Sequence, residues 1–392
     1  MGMAQKTKLK LFKRLLFIAL ILVIVFNIGS TVFSLKEKYF SQNYWQNFKS
    51  LEKVFLDSQY VNKHPVGWIP DQTAFSYAGG KLIKGESPVL VVPDAPPLGK
   101  YIIGLSAVIF NNDSTFILVS MVASLVLLYL LSLQIFSNKI VAVLPVFFLS
   151  FEPIFKNQLI YAPLMDIFQL VFLIGCFYFF NKGLTNKRIM LFFLLANLFL
   201  GLFIATKFFI TGFTIIAAWG LVLLFNRDKK RILYLILNLP VSLLILLISY
   251  SRVFAFGYTF NKFLGIQKWV FLYHQSFLIL PFSVWPLLLL NKWYVWFGDK
   301  PVISDGQWLF TWPIITIISI ITIVLYILKR IPREKNLEVL MAWVSIYLLF
   351  LSLGQVFSRY FVILIPILYI ISLYGIVEVV KPYFNKYYEN SH

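Results

Sequence analysis

Four ionisable residues stand where a very hydrophobic chain has little reason to spend charge. They are Asp71 in "WIPDQTAFSYAGG", Asp166 in "YAPLMDIFQLVF", Lys207 in "GLFIATKFF" and Arg359 in "QVFSRYF". A carboxylate in a loop is ordinarily just solvated. Asp71 differs in context, because it follows Trp68-Ile69-Pro70 and opens a helical segment with Phe75, Tyr77, Ala78, Gly79 and Gly80. Small residues beside aromatics allow close packing at a membrane surface. A carboxylate there is partly desolvated, which suits a general base. Lys207 and Arg359 admit two readings. They snorkel toward headgroups, or they cradle a phosphate, Arg as a planar fork and Lys as a point charge. Their occurrence on the same side as Asp71 favours the cradle. Charge at membrane depth costs a few kcal/mol and usually faces a cavity or a partner, so Asp166 is expected to pair with a cation or a backbone donor. His274 in "FLYHQSFLILPF" is either structural or orients an acceptor or phosphate by hydrogen bond.

The elements that must position these residues are membrane spans. The 392-residue chain is 60% hydrophobic and 13% charged, against about 25% charged in soluble domains. Long apolar runs recur throughout, which identifies an all-α polytopic membrane protein. About ten spans are expected (9–12), near residues 15–34, 115–136, 139–155, 159–180, 188–206, 208–225, 232–250, 310–328, 337–354 and 360–380. The basic segments "MGMAQKTKLKLFKR", "NKGLTNKR", "NRDKKR" and "KRIPREKN" then fall on one side, the cytoplasm, by the bias of Lys and Arg toward that face. Both termini are expected there, in the cell membrane. The loops at 35–114 and 251–309 lie on the extracytoplasmic face with the four charged residues. Both loops are rich in Trp, Tyr and Phe and carry Lys, which fits helices at headgroup depth. "GKYIIGLSAVIF" at 99–110 is too short to cross and reads as such an interfacial helix. The first apolar run is read as an uncleaved span rather than a signal peptide. The whole chain, 1–392, is expected to form one integral-membrane domain.

Composition also narrows the chemistry. Lys and Arg number 35 against 16 Asp and Glu, a net charge of +19. In this setting the excess faces anionic lipid, not nucleic acid. A single cysteine, Cys176, allows no intramolecular disulfide and no thiolate metal site, and three scattered histidines do not compose a zinc cluster. The sequence has no P-loop, GxSxG, HExxH or dinucleotide-binding fingerprint. An enzyme built this way needs an activated donor that resides in the membrane.

The order of these features resembles the dolichyl-phosphate-mannose–protein mannosyltransferase family and its bacterial relatives, membrane glycosyltransferases of the GT-C fold. Asp71-Gln72 with Phe75, Tyr77 and Ala78 resembles the family's Asp-Glu segment. Ala95-Pro96-Pro97-Leu98-Gly99-Lys100 resembles its His-Pro-Pro-Leu-x-Lys turn. Met165-Asp166, Gly201 through Lys207, Tyr273-His274, Ser283-Val284-Trp285-Pro286 and Arg359-Tyr360 resemble later elements. Three departures stand out: Gln72 replaces Glu, Ala95 replaces His, and the span at 115–136 lacks an Arg that many relatives carry. The resemblance implies an inverting transfer of a sugar, with mannose a candidate, from a polyprenyl-phosphate donor to a hydroxyl acceptor. Asp71 would be the base. Lys207, Arg359 and Lys100 would hold the donor phosphate. Gln72, Asp166, His274 and Trp285 would orient the substrates. No cofactor is required beyond the lipid-linked sugar, and the scheme calls for no metal. The acceptor would be protein Ser/Thr, a glycolipid or a wall polymer. A non-catalytic prenyl-lipid-binding relative and a lipid flippase or transporter are the alternatives.

Overall fold

The computed structural model describes residues 3–64, 68–275, 280–295, 301–354 and 356–389. Among the described residues eighteen α-helices follow one another. The first group is α1 (Met3–Ser34), α2 (Lys36–Phe40), α3 (Tyr44–Leu56), α4 (Asp71–Ile83), α5 (Leu98–Phe110), α6 (Thr115–Leu133), α7 (Lys139–Phe151), α8 (Pro153–Ile160) and α9 (Asp166–Thr185). The second is α10 (Ile189–Thr206), α11 (Thr211–Phe225), α12 (Lys229–Ser249), α13 (Ser251–Ala255), α14 (Phe260–Gln275), α15 (Val284–Leu290), α16 (Thr311–Ile327), α17 (Lys335–Ser352) and α18 (Ile365–Glu389). A 3₁₀ turn, Ser358–Val362, links α17 to α18. The only strands among the described residues are Trp293–Tyr294 and Val302–Ile303, paired antiparallel.

The fold is all-α and polytopic, as the apolar runs require. Six described helices are long and apolar enough to cross a membrane, or seven if the bent pair α7–α8 counts as one span. The apolar helices α11 and α16, at 15 and 17 residues, are shorter than the ~20 residues of a typical crossing. The expected span at 139–155 breaks at Glu152-Pro153 with a 56° bend, because proline disfavours helical backbone in the residue before it. The same effect ends helix at Ala162-Pro163. The expected span at 159–180 therefore starts at Asp166, which places that carboxylate in the first turn of α9. The helix expected at 99–110 is present as α5, too short to cross a membrane by length alone. The amphipathic segment at 36–56 forms α2 and α3, split around Ser41–Asn43.

The basic connections meet at one end of the bundle. Arg231 donates to the carbonyls of Gly183 and Leu184 at 3.1 and 2.7 Å. Asn181 donates to the carbonyl of Asn336, and Asn336 to that of Gln134, both at 2.8 Å. Asn226 donates to Glu338 at 2.8 Å. Close packing of α4 on α5 sets the frame at the opposite end. A Cβ on Gly79 would lie 2.8 Å from the Gly104 nitrogen, and one on Gly104 would lie 2.3 Å from the Gly79 oxygen. Backbone meets backbone here, so neither position has room for a side chain.

Candidate active site

Asp71 is the first residue of α4. Pro70 precedes it at φ −64°, ψ 146°, an extended N-cap that proline's ring favours. An acid in the first turn also complements the helix dipole. Arg359, in the 3₁₀ turn 288 residues away, donates from Nη1 to Asp71 Oδ2. The two side chains are 27% and 36% exposed, so the pair sits at a rim open to an incoming group. Behind it lies a second pair. Lys207, the residue after α10, donates to Asp166 Oδ1, and their side chains are 14% and 3% exposed. Both cations and both carboxylates sense one another across the cluster. Sequence-distant charges from α4, α9, α10 and the 3₁₀ turn therefore share one site with no net charge.

Aromatic residues frame it. Lys207 Nζ stands 5.5 Å from the Tyr360 ring centroid, and the Arg359 guanidinium 5.0 Å from that of Phe357, distances at which a cation is attracted to the ring face. Tyr347 stacks on Trp343 and donates its hydroxyl to the Tyr360 carbonyl at 3.3 Å. Tyr60 donates to Asp94 at 3.3 Å. Burial, then the charges of Asp94 and Asp71, push the Tyr60 hydroxyl's pKa up. Burial lowers the preference of Arg359 for its charged form, but Asp71 and Asp166 outweigh it and raise its pKa. The guanidinium is a permanent cation.

Two atoms in this cluster are buried and make no hydrogen bond among the described residues: Arg359 Nε and Asp166 Oδ2. Buried polar atoms are almost always satisfied. One N–H donor and one carboxylate acceptor of the cluster are thus left unsatisfied.

Other residues singled out in the sequence have different places. Lys100 is fully buried, and its ammonium donates to the carbonyls of Val92 at 2.6 Å and Ala95 at 2.8 Å. It ties the Pro-Pro loop to α5 instead of presenting a charge to the ion-pair cluster. Burial pushes its pKa down to about 8, with Asp94 opposing the shift. Trp285 spends its indole N–H on Ser352 at 3.1 Å, so it pins α15 to the end of α17, just before the segment that carries Arg359. Gln72 is the second residue of α4, half-buried beside Asp71. The side chain of His274 lies outside the described residues. Asp305 did not stand out in the sequence. It accepts from Ser358, next to Arg359, and its own N–H donates to Asn291 at 2.7 Å. No local pattern announces it, because its partner lies 53 residues on. Among the described residues no group of three or more His, Cys, Asp or Glu could hold a metal ion.

Comparison with known proteins gives this geometry a family context. A family model described as dolichyl-phosphate-mannose-protein mannosyltransferase matches residues 94–253, less than half of the chain but including Lys100, Asp166 and Lys207. No curated protein sequence matches. Among solved structures, ArnT from Cupriavidus metallidurans bound to undecaprenyl phosphate superposes with a TM-score of 0.58 at 13% identity, over 85% of this chain and 59% of that one. Its apo state gives 0.57 at 14% identity, over 88% and 61%. The archaeal oligosaccharyltransferase AglB from Archaeoglobus fulgidus, in complex with an inhibitory peptide and a dolichol-phosphate, gives 0.50 at 12% identity, over 98% and 52%. The chain thus spans between half and about three-fifths of the length of these structures, and at such identities the likeness establishes the fold. This chain is an integral-membrane protein with the GT-C fold of these structures, and its residues 94–253 match the family model described as dolichyl-phosphate-mannose-protein mannosyltransferase.

Proposed function

We propose that this protein is an inverting glycosyltransferase that moves a sugar from a polyprenyl-phosphate donor to an acceptor hydroxyl on the extracytoplasmic face. The observation that carries the reading is the ion pair between Asp71 and Arg359. It joins the candidate base to the candidate phosphate ligand, with Lys207 and Asp166 immediately behind. ArnT and AglB, whose fold this chain shares, are bound to undecaprenyl phosphate and dolichol-phosphate respectively in the solved structures, which supports a lipid phosphate as the ligand of this cluster.

The chemistry follows from the charges. The donor is a phosphodiester with one negative charge. Its phosphate oxygens would be held by Arg359, through Nε as well as the outer nitrogens, and by Lys207. A sugar hydroxyl that reached past the outer pair would donate to the unsatisfied Oδ2 of Asp166. The acceptor hydroxyl approaches the anomeric carbon from the opposite face, and Asp71 takes its proton. As the new C–O bond forms, the bond from carbon to phosphate oxygen breaks. The electron pair leaves with the lipid phosphate, which becomes a monoester with one more negative charge. Arg359 and Lys207 stabilise that added charge where it develops, the arrangement that gives electrostatic catalysis its effect. One displacement inverts the anomeric centre and needs no second carboxylate against the sugar. Lys100 holds the loop and takes no part in phosphate binding in this scheme.

The test is transfer by the purified full chain in lipid nanodiscs, supplied with radiolabelled polyprenyl-phosphate-mannose and polyprenyl-phosphate-glucose, and with hydroxylated peptide and glycan acceptors. Transfer with inversion from one of these donors is the expected result. Binding of the donor without transfer to any acceptor would favour a non-catalytic lipid-binding protein. Failure to bind either donor would remove the reading.

A further inference from the structure

The first loop encloses a second polar opening that the transfer chemistry does not use. α2, the start of α3, the middle of α4 and the α5–α6 turn surround a cavity of about 250 Å³. Its charged groups are Lys38 and Asp113. Asp113 accepts the hydroxyls of Ser76 and Ser114, one on each carboxylate oxygen. Each oxygen keeps a further lone pair. Lys38 uses one of its N–H bonds on the Ile160 carbonyl at 2.7 Å and has two more. Asn43 and Asn47 add two primary amides one helical turn apart at the mouth, both exposed. Asn43 is the N-cap residue of α3, yet its side chain makes no capping bond. The wall is completed by the polar Ser41 and Asn112 and by the apolar Tyr44 ring and Leu51, with the Tyr44 hydroxyl bonded to the Ser76 carbonyl at 2.7 Å.

This lining selects a class of ligand. A phosphate would meet the Asp113 carboxylate, and a metal cation would meet the Lys38 ammonium. A neutral molecule with several hydroxyls satisfies both, since ammonium donates, carboxylate accepts and primary amides do either. The apolar patches suit the C–H faces of a ring. The volume lies just below the ~300 Å³ at which small-molecule sites begin, room for one sugar ring. Ser76 lies five residues beyond Asp71 on α4, which is about 7.5 Å along the helix axis and about 140° around it. A sugar here is therefore not the one being transferred.

We infer that this cavity is a binding site for a single saccharide unit, separate from the ion-pair cluster. Binding there depends on no step of the proposed transfer. Under that reading its natural source is a glycan acceptor lying across α4.

Saturation-transfer NMR on the full chain in nanodiscs tests it, with methyl α-mannoside and methyl α-glucoside as probes and inorganic phosphate as a control. Saturation transfer to ring protons of at least one hexoside is expected, with none to be gained by competition from phosphate. Asn47→Leu, at an exposed position that leaves the fold intact, and Asp113→Asn should each weaken affinity about tenfold. Asp71→Asn should keep the signal, whether or not the protein transfers sugar. Absence of saturation transfer in the wild type would overturn the inference. So would a signal that survives both Asn47→Leu and Asp113→Asn, or one lost only in Asp71→Asn, which would place the sugar at the ion pairs.

Discussion

Asp166 and Lys207 show how much one residue can hold at this depth. Their side chains are 3% and 14% exposed and bonded to each other. Breaking such a pair strands a buried charge, at about 3–5 kcal/mol, whereas replacing both partners with neutral groups costs far less. Asp166→Asn should therefore lower the thermal unfolding midpoint sharply, and Asp166→Asn with Lys207→Met should recover most of the loss. Additive losses in that double-mutant cycle would show that the pair is not coupled. The charges were legible in the sequence, because Asp, Lys and Arg at the ends of apolar runs have to be explained. Their partners were not. Nothing in "QVFSRYF" says that Arg359 meets Asp71, because the contact exists only once the 3₁₀ turn folds over the start of α4. The Lys100 contacts to the Val92 and Ala95 carbonyls were hidden for a related reason. A lysine one turn into a helix after Pro-Pro matches a phosphate ligand by position, but its direction is set by the loop in front of it.

That loop is the element whose behaviour can be tested most simply. Val92 sits at φ 51°, a region in which a β-branched residue is strained. Lys100 holds the Val92 carbonyl from below. In Lys100→Met the two carbonyls lose their donor, at about 1–3 kcal/mol for each one left unsatisfied. The pH dependence has a definite sign. Burial lowers the Lys100 pKa from 10.5 to about 8 in the folded protein, so between those values the unfolded chain binds more protons and stability rises with pH. Below about 8 the cost of burying the charge is fully present. A neutral amine still donates two N–H bonds, enough for both carbonyls. Limited proteolysis of the 87–97 loop should be slower at pH 9.5 than at pH 7.5 in the wild type. It should be faster and insensitive to pH in Lys100→Met. A wild-type loop cut faster at pH 9.5 would refute the assignment. Helix breaks were the less legible part of the fold at this scale. The apolar runs read as spans at 139–155 and 159–180 continue past Glu152-Pro153 and Ala162-Pro163, and proline's effect on the backbone interrupts the helix inside each.

Across the whole molecule, the basic connections tied together by Arg231, Asn181, Asn226 and Asn336 lie at the end of the bundle opposite the ion-pair cluster. In the proposed orientation the basic end faces the cytoplasm, following the bias of positive charge toward that side, and the cluster faces out. The single cysteine, Cys176, is buried, so the chain is well suited to labelling. In intact cells Lys63→Cys should react with a membrane-impermeant maleimide. Lys187→Cys should react only after permeabilisation. The reverse pattern would turn the molecule over and remove the proposed site from the outer face. The broad architecture was the most legible feature of all. Apolar runs of this length can satisfy their backbone in a bilayer only as helices, and basic loops gathered at one end give the arrangement its polarity.

In the proposed mechanism Asp71 takes the acceptor's proton while Arg359 holds the donor phosphate. The most direct measurement compares wild type and Asp71→Asn for two quantities, donor binding and sugar transfer, in the same nanodiscs. Removing a general base costs typically 10²–10⁴-fold, so transfer by Asp71→Asn should fall by about that much. Its affinity for the polyprenyl-phosphate sugar should hold or tighten, since Arg359 is then free for the phosphate. Transfer at the wild-type rate by Asp71→Asn, or loss of donor binding with it, would contradict the account.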